Sequence, residues 1–269
     1  FSGNRNSYHI SCNEIMRKVY KGNPNIGLSF LYNTHFGRVI LKPLVKSRFI
    51  SRLSGKFMDS SLSKIMISSF VKKNNIDLSI YEKDKFDSFN DFFTRKIKKN
   101  KRPIPKSNNY LLSPCDSKLT YLKIDKNTTF NIKNSTYTIN SILKNDSLAK
   151  KYRDGIALIF RLSPDDYHRY MFICDGVITS NYEIKGTFHS VNPVAYKNYE
   201  VFKENTRECT SIKTSDMGLV TYVEVGALLV GKIENKVKSG SVKKGLEKGY
   251  FKYGGSTIVL LFEKNKITL

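Results

Sequence analysis

Gly254, Gly255, Ser256 and Thr257 stand in a row between Tyr250-Phe251 and an apolar β-rich run at 258–262. A glycine pair leaves the backbone free to adopt a strained turn, and it leaves the following peptide bond without side-chain cover. The Ser256 hydroxyl can then attack the Gly255 carbonyl. Taken alone, such a turn before a strand is common architecture. The stretch is not a phosphate-binding loop, because no G-x-x-x-x-G-K-[ST] spacing occurs.

Two further stretches hold groups able to move protons. His168 lies in L-S-P-D-D-Y-H-R-Y (162–170), after a strand and among polar neighbours. A histidine there titrates near neutral pH and can serve as general acid or base, although a lone loop histidine is more often structural. Asp116 closes the turn S-P-C-D (113–116), where a carboxylate can orient a histidine or simply form the turn.

Elements must hold these groups together. The first third reads as helical and basic. After Pro43, the residues Val45, Phe49, Leu53 and Phe57 recur every four positions, which predicts one helix face, and Arg48, Arg52 and Lys56 run beside it. Such a face can pack on the protein or lie in an acidic headgroup layer. Asp59 is expected to cap a following helix that stops near Asn74-Asn75. Ser88 and Asp91 form a capping-box pattern that opens a helix through Phe89, Phe92, Phe93 and Ile97. Pro103 and Pro105 mark the boundary between a helical region, 1–105, and a mainly β region, 106–269. Residues 156–162, 177–184, 219–233 and 257–262 read as strands. The fold class is α+β, since no helix-strand alternation points to a doubly wound sheet.

Composition narrows the function. The 269 residues are 40% hydrophobic, enough for one or two packed units. With 46 Lys and Arg against 23 Asp and Glu, the formal charge is +23, which draws polyanions without choosing between nucleic acid and an acidic membrane. Cys12, Cys115, Cys174 and Cys209 lie far apart, with no C-x-x-C pair, which disfavours a disulfide framework or a zinc site. The four histidines form no H-E-x-x-H, so no metal is expected. No apolar run approaches the roughly 18 to 20 residues of a membrane span, and no signal-like leader is evident.

The stretches S-F-N-D-F-F-T-R (88–95), S-P-C-D (113–116), D-Y-H-R (166–169), H-S-V-N-P (189–193), E-N-T-R-E (204–208), V-E-V-G-A-L-L-V-G (223–231) and G-Y-F-K-Y-G-G-S-T (249–257) occur in this order. Together they resemble the phosphatidylserine decarboxylases along most of the chain. The resemblance implies a proenzyme that cuts itself between Gly255 and Ser256. Residues up to Gly255 would form a β subunit, and Ser256 would become the pyruvoyl cofactor heading a short α subunit. That group would be the electron sink for decarboxylating phosphatidylserine to phosphatidylethanolamine, the role PLP plays elsewhere, with neither PLP nor metal. The resemblance assigns Asp116 and a histidine to activating Ser256, and His168 to positioning substrate and supplying a proton. It also turns the basic-apolar stripes towards membrane docking, which places the protein peripherally on the cytoplasmic face of a bacterial cell membrane. The expected partner is then anionic lipid rather than nucleic acid, and a homodimer is compatible. The rival reading is a degenerate or non-catalytic basic protein bound to acidic lipid.

Three positions depart from the family pattern. Met171 stands where D-Y-H-R-x-H carries a second histidine, Ser117 where glycine commonly follows the aspartate, and Gly254 where leucine often begins L-G-S-T. A thioether is no base, so the proton of Ser256 needs another acceptor. His9 and His35 lie outside every cleavage-related stretch. His189 is the expected substitute, paired with Asp116, and its competing reading is an ordinary turn residue.

Overall fold

Ser47 ends one helix and begins the next, and this single residue redraws the N-terminal region. In the computed structural model, which describes residues 26–104, 111–132, 135–192, 194–227 and 232–268, helix α1 (Ile26–Asn33) is followed by α2 (His35–Lys46) and α3 (Arg48–Asp59). His9, Cys12, Pro105, Pro193 and residues 228–231 lie outside the described residues. Thr34 caps α2 by accepting from the Gly37 amide, and Ser47, in extended conformation, accepts from the Ile50 amide.

The continuous helical face expected from Val45 to Phe57 is therefore broken, and Pro43 lies inside α2 rather than before the helix. Val45 turns inward with Tyr32 and Leu41 and is 1% exposed. Phe49, Leu53 and Phe57 stay on α3 at 73%, 59% and 43% exposure. They form an open apolar stripe.

Two further expectations shift. Asp59 is the last residue of α3 rather than a cap; its carboxylate accepts from the Asn90 amide group and pairs with Lys252. A short 3-10 turn (Ser61–Lys64) leads instead into α4 (Ile65–Asn74), which stops at Asn75 in the left-handed region as expected. Ser88 caps α5 (Phe89–Phe93) through the Asp91 amide, but the Asp91 carboxylate reaches the Asp87 amide rather than Ser88. The helix ends at Thr94, and Ile97 bridges to Tyr81 instead.

Beyond residue 110 the chain is mainly antiparallel sheet. A seven-stranded sheet runs β1 (Lys118–Lys123), β4 (Ile156–Leu162), β12 (Ser256–Phe262), β8 (Leu219–Val225), β7 (Arg207–Lys213), β6 (Gly176–Ile184) and β10 (Gly240–Val242) in spatial order. A three-stranded sheet, β5 (Arg169–Met171), β11 (Glu247–Phe251) and β9 (Ile233–Asn235), covers one face, and β2 (Thr129–Ile132) pairs with β3 (Ser135–Thr138). The run 219–233 thus divides between two sheets. Alternation along β12 sends Ile258 and Leu260 into the interior between the sheets. Val259 and Leu261 face the opposite core, roofed by α6 (Ile139–Leu143), α7 (Asp146–Lys150) and α8 (Val201–Glu204). A third cluster of Met58, Phe86, Phe89, Phe92 and Phe93 joins the helices to Tyr253.

Among the described residues one ion pair lies wholly inside. Lys248 Nζ sits 2.9 Å from Glu224 Oε1, and neither side chain is exposed. Asn235 ties the pair together, accepting from Lys248 and donating to Glu224. Breaking such a pair strands a charge, whereas replacing both partners by apolar groups is often tolerated. Lys248→Met should cost about 3–5 kcal/mol, and Lys248→Met with Glu224→Leu should recover most of it in urea unfolding. Equal losses in the single and double variants would show that the pair is not the source.

Candidate active site

Ser256 is the first residue of β12 and pairs with Leu162, the last residue of β4. By strand alternation its side chain shares a face with Ile258 and Leu260, so Oγ belongs to the interior between the two sheets. That oxygen is buried and has no hydrogen-bond partner. A buried hydroxyl left unpaired costs on the order of 1–3 kcal/mol, so its presence asks for a use.

The turn before it is held at both ends. The Lys252 amide donates to the Lys232 carbonyl at 3.1 Å. The Tyr253 amide donates to Asn90 Oδ1 at 2.9 Å, and its ring meets Phe89 and Phe93 edge-on. Gly254 has φ of 140°, a conformation that side chains rarely adopt. Glycine in place of leucine at 254 therefore matches the backbone this chain uses. At Gly255 a Cβ would lie 2.9 Å from Val191 Cγ2, so the Gly255–Ser256 bond is approached closely from the segment after His189.

His168 sits immediately before β5, on the sheet that covers the Ser256 face. Its Nδ1 is 2.9 Å from the Asp166 carbonyl, which can only accept, so Nδ1 carries the proton and Nε2 offers its lone pair. Nε2 is buried and unpartnered. The ring lies against Phe93 at 4.1 Å, and the Phe251 amide donates to the His168 carbonyl. Burial pushes its pKa down to about 3, with a further push from Arg95, so the ring is neutral.

The expected His189–Asp116 pair is absent. Asp116 bonds Arg102 at a half-exposed position. The His189 ring stacks on Tyr199 at 3.9 Å, and its Nε2 lies 3.6 Å from Glu204. The reason is the clamp around its backbone: Asn205 accepts from the His189 amide and donates to the carbonyls of His189 and Gly226. Burial lowers the His189 pKa to about 4. Met171 lies half-buried on β5, outside the side chains packed between the sheets, and its amide donates to Pro114 in the S-P-C-D turn.

Sequence reasoning missed Asn90, Phe93 and Asn205 as parts of this site. They fall in S-F-N-D-F-F-T-R and E-N-T-R-E, so the stretches stood out while their tasks did not. Arg207 of the second stretch is buried and donates to four carbonyls, those of Ser141, Ile142, Lys203 and Asn205.

The profile of the phosphatidylserine decarboxylase family matches residues 89–269, from α5 through Ser256 to the end. The chain belongs to the phosphatidylserine decarboxylase family. It is 46% identical over 260 residues to phosphatidylserine decarboxylase proenzyme 2 of Clostridium acetobutylicum, covering 96% of this chain and 89% of that protein. The proenzymes of Clostridium tetani and Clostridium beijerinckii are 43% and 42% identical over 247 residues, each covering 90% of this chain and 83% of the relative. The matches to these family members extend into the N-terminal helices, beyond the profile.

Two buried neutral histidines make stability depend on pH. Their folded pKa values lie below the ordinary 6.5, so their contribution is complete above that value and is lost as pH falls towards 4 and 3. Between pH 6.5 and 5 each should cost up to about 1.4 kcal/mol per pH unit. His168→Gln should remove about one proton from that slope in urea titrations. An unchanged slope would show that His168 is not held neutral.

Proposed function

We propose that this chain is a self-processing decarboxylase that converts phosphatidylserine to phosphatidylethanolamine through a pyruvoyl group made from Ser256. The observation that carries the reading is the buried, unpartnered Ser256 Oγ behind a glycine turn, in the interior that His168 borders. Oγ attacks the Gly255 carbonyl carbon; the C–N bond breaks, an ester forms, and the proton passes to the freed amine. Loss of the Ser256 α-proton expels the Gly255 carboxylate and leaves dehydroalanine. Water then hydrolyses its imine tautomer, releasing ammonia and leaving the ketone.

Pyruvoyl supplies an electron sink for the bond that loses carbon dioxide. This chain's residues supply the rest. Neutral His168, with Nδ1 fixed on Asp166, can accept a proton at Nε2 from the substrate ammonium and return one to the α carbon. Phe93 and Tyr253 keep water from that side. Asp116, held by Arg102, anchors the S-P-C-D turn, and His189 positions Val191 against Gly255. Intact-mass analysis should show a fragment that begins at Ser256 and has a blocked N-terminus. Ser256→Ala should give one uncut chain; a free N-terminal serine on the fragment would rule out pyruvoyl formation.

The same reading divides the chain near residue 105 into a docking region and a catalytic sheet. Among the described residues no helix is long and apolar enough to cross a membrane. Phe36, Val39, Phe49, Leu53, Leu62 and Ile65 instead stand more than half exposed on the N-terminal helices. Such a concentration of open apolar surface fits a peripheral seat on an anionic bilayer, aided by the +23 charge. Phe49→Ser with Leu53→Ser should weaken sedimentation with phosphatidylglycerol vesicles by about tenfold or more. Undiminished sedimentation would assign this stripe to another surface.

A further inference from the structure

On α3, Arg52 and Lys56 do not share the open face of Phe49, Leu53 and Phe57. Arg52 and Lys56 line a cleft of about 690 Å³ between α3 and the ends of β6, β7 and β9. The far wall carries Lys185, at the end of β6, and Phe188, whose amide donates to the Val45 carbonyl and fixes the helices over the sheet.

This cleft opens at the Ser256 end of the strands. Its lining includes Lys252, three residues before Gly255, and Lys232, whose carbonyl accepts from the Lys252 amide. Thr206 and Glu208, also in the lining, flank Arg207, which pairs with Val225; Val225 in turn pairs with Thr257. Two other cavities, of about 490 and 450 Å³, lie by Glu263 and by 266–268, at the opposite end of β12.

Charge in the lining is only partly balanced. Lys232 pairs with Glu234, Lys238 with Glu208, and Lys252 with Asp59. Arg52, Lys56 and Lys185 have no carboxylate partner among the described residues, and Glu183 is the one lining carboxylate outside those three pairs. Three free cations and one free carboxylate fit a headgroup that carries anions together with an ammonium. A bare polyanion would leave the carboxylate opposed.

We propose that this cleft holds the phosphodiester of the aminophospholipid whose headgroup enters the Ser256 interior, with Arg52, Lys56 and Lys185 as its ligands. The inference rests on the reading of the chain as a phosphatidylserine decarboxylase and adds the substrate's phosphate subsite to it. Arg52 and Lys56 neighbour Leu53 and Phe57 along α3, so a helix seated by its apolar stripe holds them at headgroup depth. From there a lipid stays in the bilayer while its phosphate meets charge-assisted donors from both walls of the cleft.

The test uses processed protein and glycerophosphoethanolamine, an acyl-free product headgroup that is not turned over. In calorimetric titration Lys185→Gln, and separately Arg52→Gln with Lys56→Gln, should weaken its binding by about tenfold. The KM for dihexanoyl phosphatidylserine below its micelle concentration should rise by a similar factor. Inorganic phosphate at matched ionic strength should not displace the headgroup. Unchanged affinity, or displacement by phosphate at equal concentration, overturns the proposal. So does a Lys185→Gln protein whose only loss is adsorption to phosphatidylglycerol vesicles. Wild-type protein that binds the headgroup without decarboxylating lipid would uphold the subsite and refute the activity.

Discussion

The structure depends on β12 lying between β4 and β8 near the middle of the seven-stranded sheet. All seven of its residues are buried, and it is paired along both edges from Thr257 onwards. Ser256 is held on one side only, by Leu162, and the chain before it leaves the sheet through two glycines. The Gly255–Ser256 bond thus joins a strand buried along its whole length to a turn built on two glycines. Strand pairing fixes where Oγ lies, while the glycines let the backbone before it adopt a conformation that side chains rarely allow. A serine in the middle of β12 would have the first property without the second.

Around that junction three segments converge from distant parts of the chain. Phe93, from the helical region, covers His168 and supports Tyr253. Val191 reaches Gly255 because Asn205 locks the backbone of His189 to Gly226. The small sheet β5–β11–β9 carries His168 at its margin and closes the interior over Ser256. Aromatic contacts do most of this joining. They exclude water while leaving the few polar atoms at the centre unsatisfied.

Electrostatics follow the same line. Inside, burial keeps His168 and His189 neutral, and the one fully enclosed ion pair among the described residues, Glu224–Lys248, sits under aromatic rings with Asn235 as its third member. A neutral imidazole suits proton exchange with an ammonium, whereas a charged one would repel it.

Much of this was legible in the residues themselves. The strand at 156–162, the stop at Asn74-Asn75, the Ser88 cap and the glycine-serine turn follow from local patterning, because each depends on neighbours close in sequence. Seven ordered stretches identified the family. Local patterning failed where a competing local group won: Ser47 split a helix that periodicity alone continues, which sent Val45 inward and left Phe49 outside. It failed again where contacts span the chain. Nothing near His189 indicates that Asn205 and Tyr199 hold it away from Asp116, and nothing near Phe93 announces His168, 75 residues later. The sequence by itself determined which groups are available for chemistry, since type and spacing are local properties. Only the tertiary structure decided which of them meet, because strand order and side-chain packing set distances that no spacing along the chain encodes.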